Sequence, residues 1–253
     1  KINIKKFIIT TPSNEKNYLL RDDKKKIRLP VDKSNLNSDF ILTFSSGSTA
    51  EPKPIIFSQK TKIQRFKLFK KLYNVSRNDN IIITCPIDHS LGMRLYFLPL
   101  LAGCSCVMMN TFEKYEYINL IKKYKITFST LVSNQIYEIL SNRSLIKNLN
   151  KLRVLISASA KLYPQDKKKI INNKINLYEM YGAAEIGTVT SINFLKEKKY
   201  LNSVGKIYNS KIKIKILSDE NKFLNKNEVG EIICKTPAIF KNYLNIKKKE
   251  LFF

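Results

Sequence analysis

Cysteine is scarce in this chain of 253 residues, and its four copies show none of the patterns that bind metals or form disulfide frameworks. No CxxC pair occurs, and no set of cysteines and histidines has the paired spacing of a zinc site. We therefore expect buried free thiols in a protein of the reducing cytoplasm. The four positions are Cys85, Cys104, Cys106 and Cys234.

Long apolar runs are missing as well. A membrane-spanning helix needs roughly 18 apolar residues in a row, and the nearest candidate, residues 95–109, is shorter and contains Pro99 and Gly103. We interpret it as a buried helix, a turn and a buried strand, and we predict no transmembrane segment. The N-terminus has no basic-then-apolar signal pattern, and it does not begin with Met, so we expect the true start to lie upstream.

Acidic residues are few, with 20 Asp and Glu against 46 Lys and Arg and a net charge of +26. Only seven of the basic residues are arginine, and the lysines are scattered instead of alternating with aromatics as in nucleic-acid readers. A compositional bias toward Lys, Asn and Ile accounts for this charge, and we predict no specific nucleic-acid partner. Non-specific polyanion binding by the lysine-rich surface stays open as an alternative.

What the chain does contain is the composition of a globular protein, 43% hydrophobic and 11% aromatic. Residues 1–38 are polar and irregular apart from a strand candidate at Phe7–Thr10. In residues 39–187 short apolar strands alternate with helices, which predicts an α/β fold whose mostly parallel sheet is layered with helices. Residues 188–253 show strands and turns with little helix, and they predict a small β-rich subdomain.

The individual elements follow from the same patterns. Apolar, β-branched runs predict strands at residues 40–44, 54–57, 81–84, 106–109, 127–131, 154–156, 175–180, 188–192, 212–217 and 229–235. Helical spacing predicts helices from the N-cap Ser58 to about residue 73, around residues 95–101, and at residues 113–124, 134–140 and 164–171.

The most informative stretch is residues 45–53, here called the hydroxyl loop, which lies between two predicted strands. Hydroxyls and turn amides donate hydrogen bonds to phosphate oxygens, glycine permits close approach, and lysine adds positive charge. The loop does not match the common NTPase pattern G-x-x-x-x-G-K-[ST], but ligands of α/β sheets collect at such strand ends. The predicted phosphate-binding residues are Ser45, Ser46, Gly47, Ser48, Thr49 and Lys53.

The hydroxyl loop resembles the phosphate loop of the adenylate-forming superfamily, which includes acyl-CoA synthetases, aryl-CoA ligases, luciferases and peptide-synthetase adenylation domains. That loop reads [ST]-S-G-[ST]-T-G-x-P-K-G, with a histidine several residues later. This sequence keeps Ser-Ser-Gly-Ser-Thr and Pro-Lys, but it has Ala50 and Pro54 in place of two glycines and Gln59 near the histidine position. Proline fixes φ at about −65° and removes one amide donor from the loop.

Two further segments follow in the order of the superfamily. Residues 85–92 resemble the P-x-x-H-x-x-G segment beside the acid pocket, which implies that His89 lines that pocket, although a lone histidine is more often structural. Residues 157–162 resemble the turn S-G-G-A-x-L, with Ala158 and Ser159 at the two glycine positions. The resemblance places Ala158 in the acid pocket, and Ser159 and Ala160 beside the adenine.

Residues 178–185 resemble the superfamily motif Y-E-x-Y-G-x-T-E. Tyr181 can offer a flat face to adenine, and Glu185 is an oxygen ligand suited to Mg²⁺. Ala184 stands where the motif has threonine, and the loss of such a polar contact typically costs ~1–3 kcal/mol. The resemblance implies that Lys53 and Glu185 are catalytic, and that Gly182 also borders the acid pocket. The implied ATP or AMP contacts of this segment are Glu179, Met180, Tyr181, Gly182, Ala183 and Ala184.

Residues 203–206, 228–233 and 240–245 resemble framework signatures of the superfamily, so the resemblance covers about residues 39 to 250. Relatives continue with a T-G-D segment and a C-terminal lid domain, and they have longer N-terminal regions. We therefore expect most of a large N-terminal domain, poorly active alone. The resemblance implies an AMP-forming ligase that uses ATP and Mg²⁺ to activate a carboxylic acid and then transfers it to CoA. An adenylation domain that loads a carrier-protein thiol, and a degenerate homologue that binds a ligand or a partner, stay open as alternatives.

Overall fold

The computed structural model describes residues 7–10 by their backbone, and residues 35–44 and 53–244 in full. The strands are β1 Phe7–Thr10, β2 Asp39–Phe44, β3 Pro54–Ser58, β4 Asn80–Ile83, β5 Ser105–Met109, β6 Phe128–Val132, β7 Val154–Ala158, β8 Leu177–Ala183, β9 Gly187–Asn193, β10 Lys206–Ile207, β11 Lys213–Leu217, β12 Glu231–Lys235 and β13 Asn242–Tyr243. The helices are α1 Gln59–Tyr73, α2 Ser90–Ala102, α3 Lys114–Lys123, α4 Ser133–Leu140, α5 Arg143–Ile146 and α6 Pro164–Asn172, and a 3₁₀ turn covers Lys147–Lys151.

A mixed sheet of eight strands forms the centre of the fold, in the order β1-β5-β4-β6-β7-β8-β9-β10. Neighbouring strands run parallel from β1 to β8, and β9 and β10 are added antiparallel. Parallel strands covered on both faces have continuous apolar sequences, and Ile81, Ile82 and Ile83 of β4 are indeed fully buried. The predicted α/β fold with a mostly parallel sheet is confirmed.

Helices cover both faces of this sheet. Side chains of successive strand residues point to opposite faces, and in β7 Leu155 joins one buried cluster while Ile156 joins the other. The first cluster includes Ile136 of α4 and Ile170 of α6. The second includes Leu95 of α2 together with residues of α1. The core therefore consists of two apolar layers, one on each side of the sheet.

Two small antiparallel sheets complete the fold, with the strand orders β13-β3-β2 and β11-β12. β9 begins at Gly187 and pairs with β8, so the start of the predicted β-rich segment is hydrogen-bonded into the main sheet. The division of the chain into residues 1–38, 39–187 and 188–253 stays a prediction.

Several local predictions are confirmed. Ser58 caps α1, because its Oγ accepts a hydrogen bond from the amide of Thr61 at 3.2 Å. Residues 95–109 form the end of α2, a turn at Gly103 with φ of 70°, and the buried strand β5. The four cysteines are free and buried. Within the described ranges, no helix is long and apolar enough to cross a bilayer.

Candidate active site

A cavity of about 790 Å³, here called the site cavity, opens at the carboxyl ends of β4, β6, β7 and β8. Open α/β sheets bind their ligands at this edge. Residues 45–49 of the hydroxyl loop lie outside the described residues, but Phe44 and Lys53, which flank that stretch, both line the cavity. The other predicted site residues that line it are His89, Ala158, Ser159, Met180, Gly182, Ala183, Ala184 and Glu185.

Three predicted site residues do not line the site cavity. Ala160 is exposed beyond the end of β7, and Tyr181 packs on an apolar cluster that contains Val189 and Ile212. Glu179 is 3% exposed and its carboxylate is fully engaged inside the protein. The nucleotide contacts predicted for these three residues stay predictions.

Glu179 forms a buried ion pair with Lys167, with 2.5 Å between Oε2 and Nζ. The other carboxylate oxygen accepts the amide hydrogen of Leu162 at 3.1 Å, and the Lys167 ammonium also donates to the carbonyl of Leu201 at 2.9 Å. A buried charge needs such partners to offset its lost hydration. The pair therefore joins α6 to β8 directly behind the cavity wall.

The turn between β8 and β9 presents Ala183, Ala184 and Glu185 to the site cavity. It depends on Gly182, because a Cβ atom there would lie 1.9 Å from the carbonyl oxygen of Gly187. The pairing of the two strands also shifts register between Tyr181 and Gly182. The glycine of the motif is therefore required by the close approach of two backbones.

Glu185 is held at both its backbone and its side chain. Its carbonyl oxygen accepts hydrogen bonds from Nη2 of Arg65 at 2.8 Å and from the amide of Phe240 at 2.7 Å. Its carboxylate accepts the hydroxyl hydrogen of Tyr243 at 2.9 Å. Burial, together with this carboxylate, raises the pKa of Tyr243, so the phenol remains a donor at neutral pH. Lys53 completes the group, with its Nζ 5.8 Å from the centre of the Tyr243 ring.

Tyr243 is a site residue that the sequence reasoning missed. It belongs to a segment whose resemblance is to a framework signature, and no site residue is predicted there. The only signal for it was the tyrosine in that signature, since β13 is too short to be recognised by pattern and reaches the cavity by pairing with β3.

Glu185 has the chemistry of a magnesium ligand, and it is the one carboxylate among the described residues that line the site cavity. Among the residues that the structure describes, no group of three or more His, Cys, Asp or Glu side chains is placed to hold a metal. Mg²⁺ in nucleotide sites is held by one or two carboxylates together with phosphate oxygens and water. The residues present therefore fit a Mg²⁺ ion that arrives with a nucleotide, and they do not form a site made of protein ligands alone.

His89 stands at the N-terminus of α2, where it is exposed to the site cavity and makes no capping hydrogen bond through its side chain. Gly92 lets the helix pack on the preceding segment, because a Cβ atom there would lie 1.7 Å from the carbonyl oxygen of Pro86. The two motif residues are therefore connected structurally, because the close packing at Gly92 positions the start of α2 and, with it, His89.

Ser159 has a backbone conformation that favours glycine. Its φ is 70°, in the left-handed region, where side chains other than those of Gly, Asn and Asp are strained. The superfamily turn has glycine at this position, so the serine keeps the geometry of that turn at a cost in strain. Ser133 supports the same turn by donating from its Oγ to the carbonyl of Ala160 at 2.6 Å.

Three buried or half-buried cations beside the site cavity were also missed. Arg94 lines the cavity and donates from Nη1 to the Oγ1 of Thr188 at 2.9 Å. Arg65 and Lys62 lie behind it on α1. Burial lowers the pKa of all three groups, and burial together with the two arginines lowers that of Lys62 to about 7. The available signal was Lys62 and Arg65 three residues apart on the face of α1 that also carries Phe69.

Known proteins resemble this chain in sequence and in fold. A family model described as AMP-binding enzyme matches residues 3–244. The 4-coumarate-CoA ligase 1 of Narcissus pseudonarcissus is 26% identical over 250 residues, which cover 94% of this chain and 46% of that protein. The chain thus spans less than half the length of such curated relatives.

Solved structures show the same fold at lower identity. ATP-bound MatB from Rhodopseudomonas palustris has a TM-score of 0.78 and 20% identity, covering 85% of this chain and 43% of that one. The o-succinylbenzoate coenzyme A synthetase MenE from Bacillus subtilis, solved with ATP and a magnesium ion, has a TM-score of 0.75 and 19% identity, covering 84% and 44%. Because the family model matches nearly the whole chain, the chain belongs to the AMP-binding enzyme family, which confirms the resemblance drawn from its motifs.

Proposed function

We propose that this chain supplies the ATP and acid site of an AMP-forming ligase, which activates a carboxylic acid as an acyl-adenylate and transfers it to CoA. The observation that carries this proposal is the site cavity, which is lined by Phe44 and Lys53, by Glu185 and by the segment of His89. Names of relatives support the acceptor, since 4-coumarate-CoA ligase 1 joins an acid to CoA.

The proposed first step joins one carboxylate oxygen of the acid to the α-phosphorus of ATP, and the bond to pyrophosphate breaks. Negative charge shifts toward the leaving phosphates during this step. Lys53 and the other donors of the hydroxyl loop offset that charge, which is electrostatic stabilisation of the transition state. Mg²⁺, when bound with ATP, supplies further positive charge at the phosphates. Tyr243 orients the Glu185 carboxylate toward that charge by its hydrogen bond.

The two remaining parts of the cavity accommodate the acid and the adenosine in this proposal. His89, Ala158 and Gly182 border the acid, and all three line the site cavity. Ser159, Met180 and Ala183 border the nucleotide. The buried free thiols suit the predicted cytoplasmic location, and CoA as acceptor, against the thiol of a carrier protein, rests on the relatives alone.

Acid-dependent exchange of labelled pyrophosphate into ATP tests the proposal in the intact protein. We expect exchange with at least one acid of a broad panel, followed by thioester formation with CoA and not with a carrier protein. The Lys53→Ala variant should raise the KM for ATP by roughly tenfold or more, because one charge on the phosphates is lost. Lys67→Ala is the matched control, as Lys67 is an exposed residue of α1.

The contrary result is equally clear. Absence of exchange with every acid in the panel would favour the degenerate homologue over the ligase. A Lys53→Ala variant with the same KM for ATP as Lys67→Ala would show that Lys53 does not contribute to binding the ATP phosphates.

A further inference from the structure

Arg94 lies in the second turn of α2 and lines the site cavity. Its guanidinium makes one hydrogen bond to the side chain of Thr188. None of the ion pairs found among the described residues includes Arg94. A guanidinium carries five N–H donors in a planar fork, so most donors of Arg94 have no acceptor among the described residues and are available to a ligand.

The charged groups around Arg94 increase the need for an anion. Lys62 and Arg65 both interact unfavourably with it. Arg65 is satisfied by the carbonyls of Ala238 and Glu185, and its charge also interacts with the Glu185 carboxylate. Arg94 interacts with two phenols and with no carboxylate in the described part of the chain. Cations removed from water are unfavourable unless an anion compensates them.

A second polar group without a partner lies beside Arg94. The Oγ of Ser90 is buried and makes no hydrogen bond within the described residues, although buried hydroxyls in folded proteins are nearly always bonded. Ser90 precedes Arg94 by four residues and so shares its face of α2. Both residues line the site cavity, and both also line a cavity of about 20 Å³ behind it, together with Lys62 and Arg65. Ser90 and Arg94 thus form the wall between the two spaces.

The position of this wall decides which anion it suits. Lys53, Glu185 and Tyr243 form one group, which lies just before β3, in the β8–β9 turn and on β13. Ser90 and Arg94 lie instead on the helix that His89 opens, on the side proposed above for the acid. The function proposed above assigns the ATP phosphates to the group that contains Lys53. Ser90 and Arg94 are therefore available to bind the substrate acid.

We propose that the acid taken by this site is a dicarboxylic acid, and that Arg94 and Ser90 bind the carboxylate that does not react. The inference rests on the function proposed above. The carboxylate farther from Arg94 attacks the α-phosphorus of ATP as pyrophosphate leaves. The carboxylate nearer to Arg94 stays ionised and bound to its guanidinium. Arg94 is therefore a specificity-determining residue, since a planar guanidinium matches the two oxygens of a carboxylate.

The test compares acids that differ only in the second carboxylate, using the intact protein and pyrophosphate exchange. Butanoate against butanedioate and benzoate against benzene-1,4-dicarboxylate are suitable pairs. We expect a higher kcat/KM for the diacid in at least one pair. Arg94→Met should lower the diacid-to-monoacid ratio by about 100-fold, mainly through KM for the diacid, because a desolvated charge pair is lost. Arg77→Met, at an exposed arginine outside the cavity, should leave the ratio unchanged.

Each other outcome has a definite meaning. Exchange with monoacids as good as with diacids would overturn the dicarboxylate proposal and leave the ligase function standing. No exchange with any acid would remove the proposed function and this inference with it. A loss of ATP affinity in Arg94→Met as large as the loss of diacid affinity would assign Arg94 to the phosphates and overturn the proposal.

A variant that does not fold is covered by a direct measurement. Calorimetric binding of butanedioate and butanoate to the unmodified protein needs no substitution at Arg94. We expect measurable binding of the diacid of at least one pair, and at least tenfold weaker binding of its monoacid. Equal binding of both members in every pair would count against the proposal.

Discussion

Tyr243 and Glu185 meet through a hydrogen bond between a phenol and a carboxylate, and this contact fixes the one acidic side chain among the described residues that line the site cavity. A hydrogen bond to a charged group contributes about 1.5–3 kcal/mol. Loss of this hydrogen bond leaves the Glu185 carboxylate in place but free to rotate. Loss of the negative charge abolishes any interaction of Glu185 with a metal ion.

The two losses can be separated by substitution. We expect Glu185→Gln to reduce Mg²⁺-dependent exchange by a factor on the order of 10² to 10³, as for other preorganised electrostatic groups. Tyr243→Phe should reduce it about tenfold, because the charge remains and only its orientation is lost. Exchange rates at saturating and limiting Mg²⁺ measure both. A Tyr243→Phe variant as impaired as Glu185→Gln would show that the phenol does more than orient the carboxylate.

Ser159 offers a second test at the residue scale. A left-handed conformation costs a serine roughly 1–2 kcal/mol, while glycine loses more entropy on folding, by about 0.5–1 kcal/mol. We therefore expect Ser159→Gly to stabilise the protein by about 0.5–1 kcal/mol, measured by urea unfolding. Ser210→Gly is the control at an exposed turn where φ is not positive, and it should be neutral or destabilising. Lower stability of Ser159→Gly would contradict the strain at this turn.

Between elements, the buried pair of Glu179 and Lys167 joins α6 to the sheet. Removing one member of such a pair costs about 3–5 kcal/mol, because the other charge stays buried without a partner. We expect Glu179→Gln to lose stability in that range, and Glu179→Gln with Lys167→Met to regain part of it. Urea unfolding measures both changes.

The same variants test the nucleotide contact predicted for Glu179. If the double variant folds and binds ATP like the unmodified protein, the role of Glu179 is to hold α6 against β8. Weaker ATP binding without a loss of stability would instead support the predicted contact. A cost below about 1 kcal/mol for Glu179→Gln would mean that the carboxylate is not as enclosed as the structure shows it.

Elements with a regular pattern could be predicted from the sequence, and elements stabilised by distant contacts could not. The apolar strands β4 to β8 and the Ser58 cap of α1 were found because their signals are local. Helix α5 and the 3₁₀ turn that follows it were not predicted, because the polar residues around the buried Leu145 and Leu149 leave no clear helical spacing of apolar residues. Likewise motifs drew attention to Lys53 and Glu185, which line the site cavity, while Arg94 and Tyr243 reach the cavity only through packing and strand pairing.

At the scale of the whole molecule, the net charge of +26 makes every further buried cation harder to accommodate. Lys62 is one such buried cation, and its surroundings act in the same direction. Burial, with Arg65 and Arg94 nearby, lowers its pKa from 10.5 to about 7 in the folded state. Between these two pH values the unfolded chain holds a proton that the folded protein has released, so stability rises with pH across this range.

Lys62→Met removes this dependence. We expect the variant to be more stable than the unmodified protein at pH 6.5, and its advantage to shrink by at most about 1.4 kcal/mol per pH unit between pH 7 and 10. Below pH 7 the difference should stay constant, because the lysine is charged in both states. Urea unfolding at several pH values gives both curves. The Lys67→Met control should run parallel to the unmodified protein, and a parallel Lys62→Met curve would contradict the lowered pKa.

The pairing of β13 with β3 has a consequence for how the chain is made. Tyr243 lies opposite Ile55, so β3, which pairs with β2 close by in the sequence, gains its second neighbour only when almost all of the described chain has left the ribosome. Contacts so distant in sequence form late and slow the search for the native state. A nascent chain can assemble the apolar layers around β4 to β8 before β13 has paired with β3. Competence to bind nucleotide should thus be among the last properties that a growing chain acquires.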